Sequence, residues 1–412
     1  MLIKDSMRRS LLILIAASVI LTLSFSPCLG KELKAWSFGV MGDTQWTPYG
    51  FKDGKSVPGN DPEGKNPNSV SVSIITQFNK EFIEKGVKFV IQVGDITDWG
   101  TDEAIVTRAK AAAELYDAGI GFFCMRGNHE TYSNLYFRDA EPNDYGIPAI
   151  QENFPQHRGI GKNVFGASNF SSPSSSEAGL ENMAAELDGL SYAFDYGENG
   201  SSATFLVIDP WVTQTRSNPN EKLHVIYGYS IKAQQKWISD RLNIETRGTS
   251  HAFVFSHQPL MAANHVDSPF GFLDSNLEDQ NIFYNELKRN GVSYYIAGHD
   301  HIHQRNIVKS PDGNNEVEQL ICISACPKFY RPRPDDFEGW HGQKYRSTTL
   351  SQEIDNIGFY IFTIDGPNVT VDYYSDRKGG FVGGNKWPDG SGSLITPEFE
   401  FIKKESWGYS LN

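Results

Sequence analysis

Five apolar runs in this chain, rich in β-branched and aromatic residues, each stop at a short cluster of residues able to bind metal ions. The runs cover residues 35–40, 87–93, 120–125, 252–255 and 292–297. The clusters are Gly42-Asp43-Thr44-Gln45, Gly94-Asp95-Ile96-Thr97-Asp98, Gly127-Asn128-His129-Glu130, Ser256-His257-Gln258 and Gly298-His299-Asp300-His301. Runs of this length and composition predict buried strands. The clusters then fall at strand ends, and in open α/β sheets ligands bind in the crevice beyond the carboxyl ends of the strands. Such a chain must bring five loops together. Any one cluster also reads as an ordinary turn, because Gly and Asp both suit turn geometry; the ordered set of five points to one shared site.

In these five motifs and their order the chain resembles the calcineurin-like metallophosphoesterase superfamily, which includes purple acid phosphatases, protein serine/threonine phosphatases and nucleotide phosphodiesterases. The resemblance spans roughly residues 35 to 305 and implies an α/β fold of the four-layer α/β/β/α sandwich type. It also implies two divalent metal ions, the first held by Asp43, Gln45, Asp95 and His301, the second by Asp95, Asn128, His257 and His299. Asp95 is the natural bridge, because two cations carrying about +4 of charge need an anion between them to sit roughly 3.5–4 Å apart. A water shared by both cations gives hydroxide near neutral pH, the implied nucleophile for in-line attack on a phosphoester. Against Asp43, Asp95 and that hydroxide, about +1 of charge remains, which a phosphoryl oxygen matches. His129 is implied to protonate the leaving oxygen or stabilise its charge, with Asp98 orienting it. A carboxylate on one ring nitrogen fixes the tautomer and favours imidazolium. Asp98 equally suits an Asx-turn or a helix cap.

Gln45 departs from the histidine that most of the superfamily carries. A neutral, hard carbonyl oxygen shifts the first position from zinc toward Mn²⁺, Mg²⁺ or Fe²⁺ and argues against a tyrosinate-bound ferric ion. Some branches that resemble this chain share the Gln, including nucleotide-diphosphate-cleaving enzymes and a phosphatase branch. Metal identity, among Mn, Fe, Mg and Zn, stays open. His303 extends the last cluster to His-Asp-His-Ile-His, which does not meet the His-x-His-x-Asp-His spacing of metallo-β-lactamase-like hydrolases. Strand alternation would put residues 299, 301 and 303 on one face, so His303 is read either as lining the site or as surface-exposed. His157, His224, His251, His265 and His341 have no ligand-like spacing and read as structural or solvated.

Residues 1–30 read as a targeting segment. Lys4, Arg8 and Arg9 precede an apolar run over 11–25 and then Ser26-Pro27-Cys28-Leu29-Gly30, the layout of a secretory signal peptide. Arg8-Arg9 faintly resembles a twin-arginine signal, and an uncleaved N-terminal membrane anchor is the alternative. Export places the mature protein in the periplasm or outside the cell, with no stable membrane span after cleavage. Cleavage removes Lys4, Arg8 and Arg9 against Asp5 and takes the formal charge from −13 to −15. So acidic a chain has no footprint for a nucleic-acid backbone. Cys124, Cys322 and Cys326 show no framework spacing. Cys322 and Cys326 lie about 13 Å apart if extended, too far to bridge each other, which leaves buried thiols or a bridge to Cys124.

We expect one catalytic domain over 31–375 with insertions at 131–190 and 327–353, then a C-terminal loop and tail over 376–412. The first insertion, rich in Pro, Asn, Ser and Gly, follows the catalytic histidine and is read as lying at the rim of the site. Strands are expected at 191–197 and 203–208, a helix at 230–242 with Gln234, Trp237, Ile238 and Leu242 on its buried face, and a hairpin formed by 357–363 and 369–374. The second insertion carries Arg331 and Arg333, whose forks suit phosphate, or else is a solvated loop. The resulting expectation is an exported metal-dependent phosphoester hydrolase acting on a small-molecule phosphoester. A nucleotide diphosphate or phosphodiester hydrolase is the alternative, and a catalytically inactive cell-envelope binding protein on the same fold is the rival from another class. Oligomeric state is not legible.

Overall fold

Alternating apolar strands and amphipathic helices form two sheets packed face to face in the computed structural model, which describes residues 35–46, 49–52, 55–58, 64–131, 146–176, 179–181, 183–198, 200–215, 225–377 and 396–411. The first sheet contains β1 (Trp36–Met41), β2 (Phe89–Gln92) and β3 (Gly121–Cys124). The second sheet contains β4 (Ser168–Ser171), β5 (Tyr192–Glu198), β6 (Ser201–Ile208), β7 (His251–Ser256), β8 (Tyr294–Ala297), β9 (His303–Lys309), β10 (Glu316–Ile321) and β11 (Ser347–Glu353). The chain then returns to the first sheet with β12 (Gly358–Asp365), β13 (Asn368–Asp376) and β14 (Phe401–Ser410). The six-stranded order is β14-β13-β12-β1-β2-β3, and the eight-stranded order is β11-β9-β10-β8-β7-β6-β5-β4.

The two inner faces meet in a core of aromatic rings. Phe38 of β1 stacks on Phe362 at 4.8 Å and meets Phe205 of the opposite sheet edge-on at 5.0 Å. Helices cover both outer faces. On α1 (Val72–Glu84), Ile74, Ile75, Phe78 and Phe82 recur at helical spacing and bury against Val90, Phe122 and Phe359. Each such side chain contributes about 1.5–3 kcal/mol by leaving water. The neighbouring α2 (Asp102–Ala111) begins where Thr101 caps the Ala104 amide and Asp102 and Glu103 meet the positive helix end. On the other side α3 (Ile231–Leu242) and α4 (Leu277–Arg289) pack Trp237, Ile238, Leu242, Phe283 and Leu287 onto Leu206, Val254 and Tyr295. The layers therefore run α/β/β/α, and the helix expected at 230–242 buries the four residues named for it.

Where pairing is parallel, strand ends point one way. β1, β2 and β3 are mutually parallel, as are β6, β7, β8 and β10. Their carboxyl ends bring the five motifs to one side of the molecule.

Several expectations change on contact with the structure. The chain does not run extended from His299 to His303: His299 and His301 have φ of 73° and 53°, so the segment turns, and β9 begins only at His303. The second insertion ends in a strand, β11, paired to β9. The segment read as a tail supplies β14, which pairs with β13 over 368–376. Within 131–190, the described part closes a sheet edge. His157 accepts a hydrogen bond from the Cys124 amide at 3.1 Å and Gln156 donates to the Phe122 carbonyl at 2.8 Å, which satisfies edge groups of β3. Burial pushes the His157 imidazole down to about 3, so it stays neutral and can accept. Cys124, Cys322 and Cys326 are free and buried. Residues 1–30, His224 and the glycine-rich stretch 379–392 lie outside the described residues. Among the described residues no helix is long and apolar enough to cross a membrane.

Candidate metal centre

Close packing of the motif loops explains their glycines. A Cβ on Gly127 would collide with the side chain and backbone of Asp95. On Gly94, whose φ is +91°, it would strike the His257 ring. Asp95 itself has φ of 42°, so three site residues, Asp95, His299 and His301, hold a left-handed backbone that only a well-braced site retains. Glu130 supplies some of that bracing. It accepts from the Thr97 amide and hydroxyl, both at 2.9 Å, and from the Gly127 amide at 2.8 Å, which ties the second loop to the third. A buried Arg126–Asp209 pair at 2.7 Å joins the third loop to the end of β6.

Two clusters of ligand atoms share one residue. Asp95, His257 and His299 form one, Asp43, Asp95 and His301 the other, and within each the candidate atoms lie within 4.8 Å of one another. All these side chains are buried. Asn128 joins the cluster of Asp95, His257 and His299, its Oδ1 3.0 Å from His257 Nε2.

Each histidine has one ring nitrogen occupied from behind. His257 Nδ1 donates to the Val93 carbonyl at 2.8 Å, His301 Nδ1 meets the Ser324 hydroxyl at 3.1 Å, and His299 Nε2 meets Asp267 at 3.1 Å. Outer partners of this kind orient metal-binding histidines and fix their tautomers. His301 Nε2 is buried without a hydrogen-bond partner and faces the Asp43 carboxylate at 3.0 Å. Burial, only partly offset by Asp43, keeps that imidazole below its ordinary pKa and hence neutral. A lone pair then faces an anion, an arrangement that a cation satisfies. The donor set of imidazoles, carboxylates and amides therefore fits two divalent ions.

The same demand shows in the proton affinities. Burial opposes charge on His257, yet Asp95 beside it pushes the imidazole up to about 10. Burial alone would raise the Asp95 carboxyl, but His257, His129 and Lys328 outweigh it and hold the group well below the usual carboxylate range. The site draws in positive charge, and imidazolium stands where a cation fits.

His129 is partly exposed at the mouth. Its Nδ1 lies 2.8 Å from the Asp98 backbone carbonyl and 3.3 Å from the Asp98 carboxylate, so two acceptors hold that nitrogen. Its Nε2 meets Lys328 Nζ at 3.1 Å. The Gln45 side-chain amide spans from Asp95 Oδ2 at 2.9 Å to Lys328 Nζ at 2.5 Å, and both contacts are hydrogen bonds when its nitrogen is assigned to the Asp95 side and its oxygen to the Lys328 side.

The residues proposed around the substrate fare differently. His303 sits away from the cluster, buried and stacked on Tyr373 at 3.9 Å, with Tyr360 and Glu405 on its two nitrogens. It belongs to the packing between the sheets because the turn at 299–301 breaks the alternation. Arg331 pairs with Asp355 at 2.7 Å, and Arg333 donates to the Asn264 carbonyl and lies over the Phe337 ring. Both fasten the second insertion. Three site residues escaped the sequence reading. Lys328 follows β10, a sixth strand end on the same side. His265, read as structural or solvated, lies 3.9 Å from the His299 ring, held by Asp300 at 2.7 Å. Asp267 backs His299, and an open groove lined by Tyr229, Phe270, Phe272 and Asn276 runs up to it.

A crevice fed by parallel strand ends, with two overlapping ligand clusters sharing an aspartate, defines a binuclear metallohydrolase class. Residues 37–303 match the family model described as calcineurin-like phosphoesterase, and the chain belongs to that family. Among solved structures, PhoD aligns with TM-score 0.51 and 14% identity, covering 93% of this chain and 71% of that one. A dimetal phosphatase from Danio rerio aligns with TM-score 0.44 and 14% identity over 82% of this chain and 95% of that chain. A purple acid phosphatase from yellow lupin (Lupinus luteus) gives TM-score 0.46 and 12% identity over 93% and 55%. At 14% identity the likeness to PhoD speaks to the fold alone. No curated protein matches.

Proposed function

We propose that this protein is an exported phosphatase acting on small, exposed phosphoesters through a two-metal centre. The observation that carries the proposal is the pair of ligand clusters meeting at Asp95 with His129 beside them. Two divalent cations held there would supply Lewis acidity to the phosphoryl group and an acidified water as nucleophile. Asp43, Gln45, Asp95 and His301 would hold the first cation, and Asp95, Asn128, His257 and His299 the second. To ligate, Gln45 would present its carbonyl on the side of Asp95 instead of Lys328. His129, steadied by Asp98, serves the leaving oxygen from the side that the site opens to solvent. Export rests on the basic, apolar and small-residue succession over 1–30.

The test is hydrolysis of p-nitrophenyl phosphate and bis-p-nitrophenyl phosphate by metal-stripped mature protein, with Mn²⁺, Mg²⁺, Zn²⁺ or Fe²⁺ returned. Metal-dependent turnover that falls by about 10²–10⁴-fold in kcat for His129→Ala, with metal content retained, supports the reading. Metal binding without turnover of any ester refutes it in favour of a binding protein.

A further inference from the structure

Lys328 is a partly buried ammonium that meets His129 Nε2 at 3.1 Å and the side-chain amide of Gln45, with the Tyr330 ring centre 5.4 Å away. Among the described residues it makes no direct ion pair with a carboxylate. Withdrawing a charge even partly from water without a contacting counter-ion has a cost. The loop that carries it is built rigidly onto the site. Ser324 donates to the Lys328 carbonyl at 2.9 Å and contacts His301, and the Ala325 amide donates to the Asp43 carbonyl at 3.1 Å.

We propose that Lys328 contacts the phosphoryl group and makes the site selective for the dianion of a phosphate monoester over the monoanion of a diester. This inference rests on the phosphoester-hydrolase reading and narrows its substrate class. The argument is differential. Whatever charge the ligands and cations leave, Lys328 raises it by one unit beside His129 Nε2. A monoester phosphate, with a second pKa near 6, carries nearly −2 above neutral pH, whereas a diester carries −1. Gln45 couples the two events, because its carbonyl cannot hold Lys328 and ligate a cation at once. Turning it toward the first cation frees one ammonium proton for a phosphoryl oxygen.

The proposal is tested by calorimetry and kinetics on the full mature protein and on Lys328→Met and Lys328→Arg. In Mn²⁺-loaded wild type at pH 8, inorganic phosphate is expected to bind at least tenfold tighter than dimethyl phosphate. Lys328→Met should lose about 10–100-fold in phosphate affinity, the worth of one hydrogen bond to a charged group. The same variant should bind Mn²⁺ at the first position more tightly, since a nearby positive charge is gone. A merely structural role would not move the two affinities in opposite directions. Its kcat/KM ratio for p-nitrophenyl phosphate over the bis ester should fall by about tenfold, with Lys328→Arg recovering part of it. Equal binding of the two phosphates by wild type, or an unchanged phosphate affinity and ester ratio in folded Lys328→Met, overturns the proposal. Absence of hydrolysis by wild type defeats the hydrolase reading instead, while the two binding measurements still decide the role of Lys328.

Discussion

The two ligand clusters share Asp95 yet are built from unlike surroundings. Around the second cluster the histidines are backed by strong acceptors, the Val93 carbonyl on His257 and the Asp267 carboxylate on His299. Around the first, His301 is backed by a neutral hydroxyl and Gln45 is held by an ammonium. Acceptors behind an imidazole raise its basicity and its hold on a metal, while a neighbouring cation opposes one. The difference teaches that a binuclear site need not be symmetric in affinity. These surroundings predict that the second position would hold a cation more tightly than the first, which Gln45 and Lys328 would couple to the occupant of the mouth.

Breaking the shared element should erase the comparison. Asp95→Ala is expected to lose metal at both positions and to reduce activity by more than about 10³-fold, since bound cations supply several kcal/mol of transition-state stabilisation. Metal analysis after gel filtration, beside the rate, checks this. The next effect separates the halves. Asp267→Asn should weaken metal binding at the second position by about 10–100-fold, and Ser324→Ala should weaken the first by a smaller factor, both read by Mn²⁺ titration.

Proton linkage gives a third handle. His257 has its pKa raised from 6.5 to about 10 in the metal-free site, so its imidazolium contributes stability that is fully present below about pH 6.5 and is lost as pH rises to about 10. The melting temperature of metal-free protein should therefore decline over that window. Metal-loaded protein should change less, because a cation replaces the proton. The smallest effect is expected at the rim: Arg331→Ala removes an exposed pair with Asp355, worth about 0–1 kcal/mol, and should leave kcat/KM within about threefold.

The parts legible in the sequence are those where local pattern and global role coincide. Apolar runs ended by Gly-Asp, Asn-His and His-Asp-His mark both the strands and the residues that gather into the candidate ligand clusters, because parallel strand ends in such a fold meet by construction. Strand alternation misplaced His303 because His299 and His301 adopt left-handed backbone, which alternation cannot foresee. Lys328, His265 and Asp267 were hidden for a different reason. They lie in irregular segments without ligand-like spacing, and only packing against His129 and His299 gives them roles. A partial signal existed for Lys328: its loop follows a sixth apolar run, over 320–323, whose end had reason to join the others. The insertion over 131–190 read as a rim loop because its composition lacks periodicity, yet Gln156 and His157 serve the edge of β3 through single side-chain hydrogen bonds.

The most direct measurement is anomalous X-ray scattering from crystals of the mature protein soaked in Mn²⁺, first below and then above two equivalents. The account predicts a first peak among Asp95, Asn128, His257 and His299, then a second among Asp43, Gln45, Asp95 and His301 at roughly 3.5–4 Å. Filling of the Asp43–His301 position first, a single peak at saturation, or manganese bound away from Asp95 would contradict it.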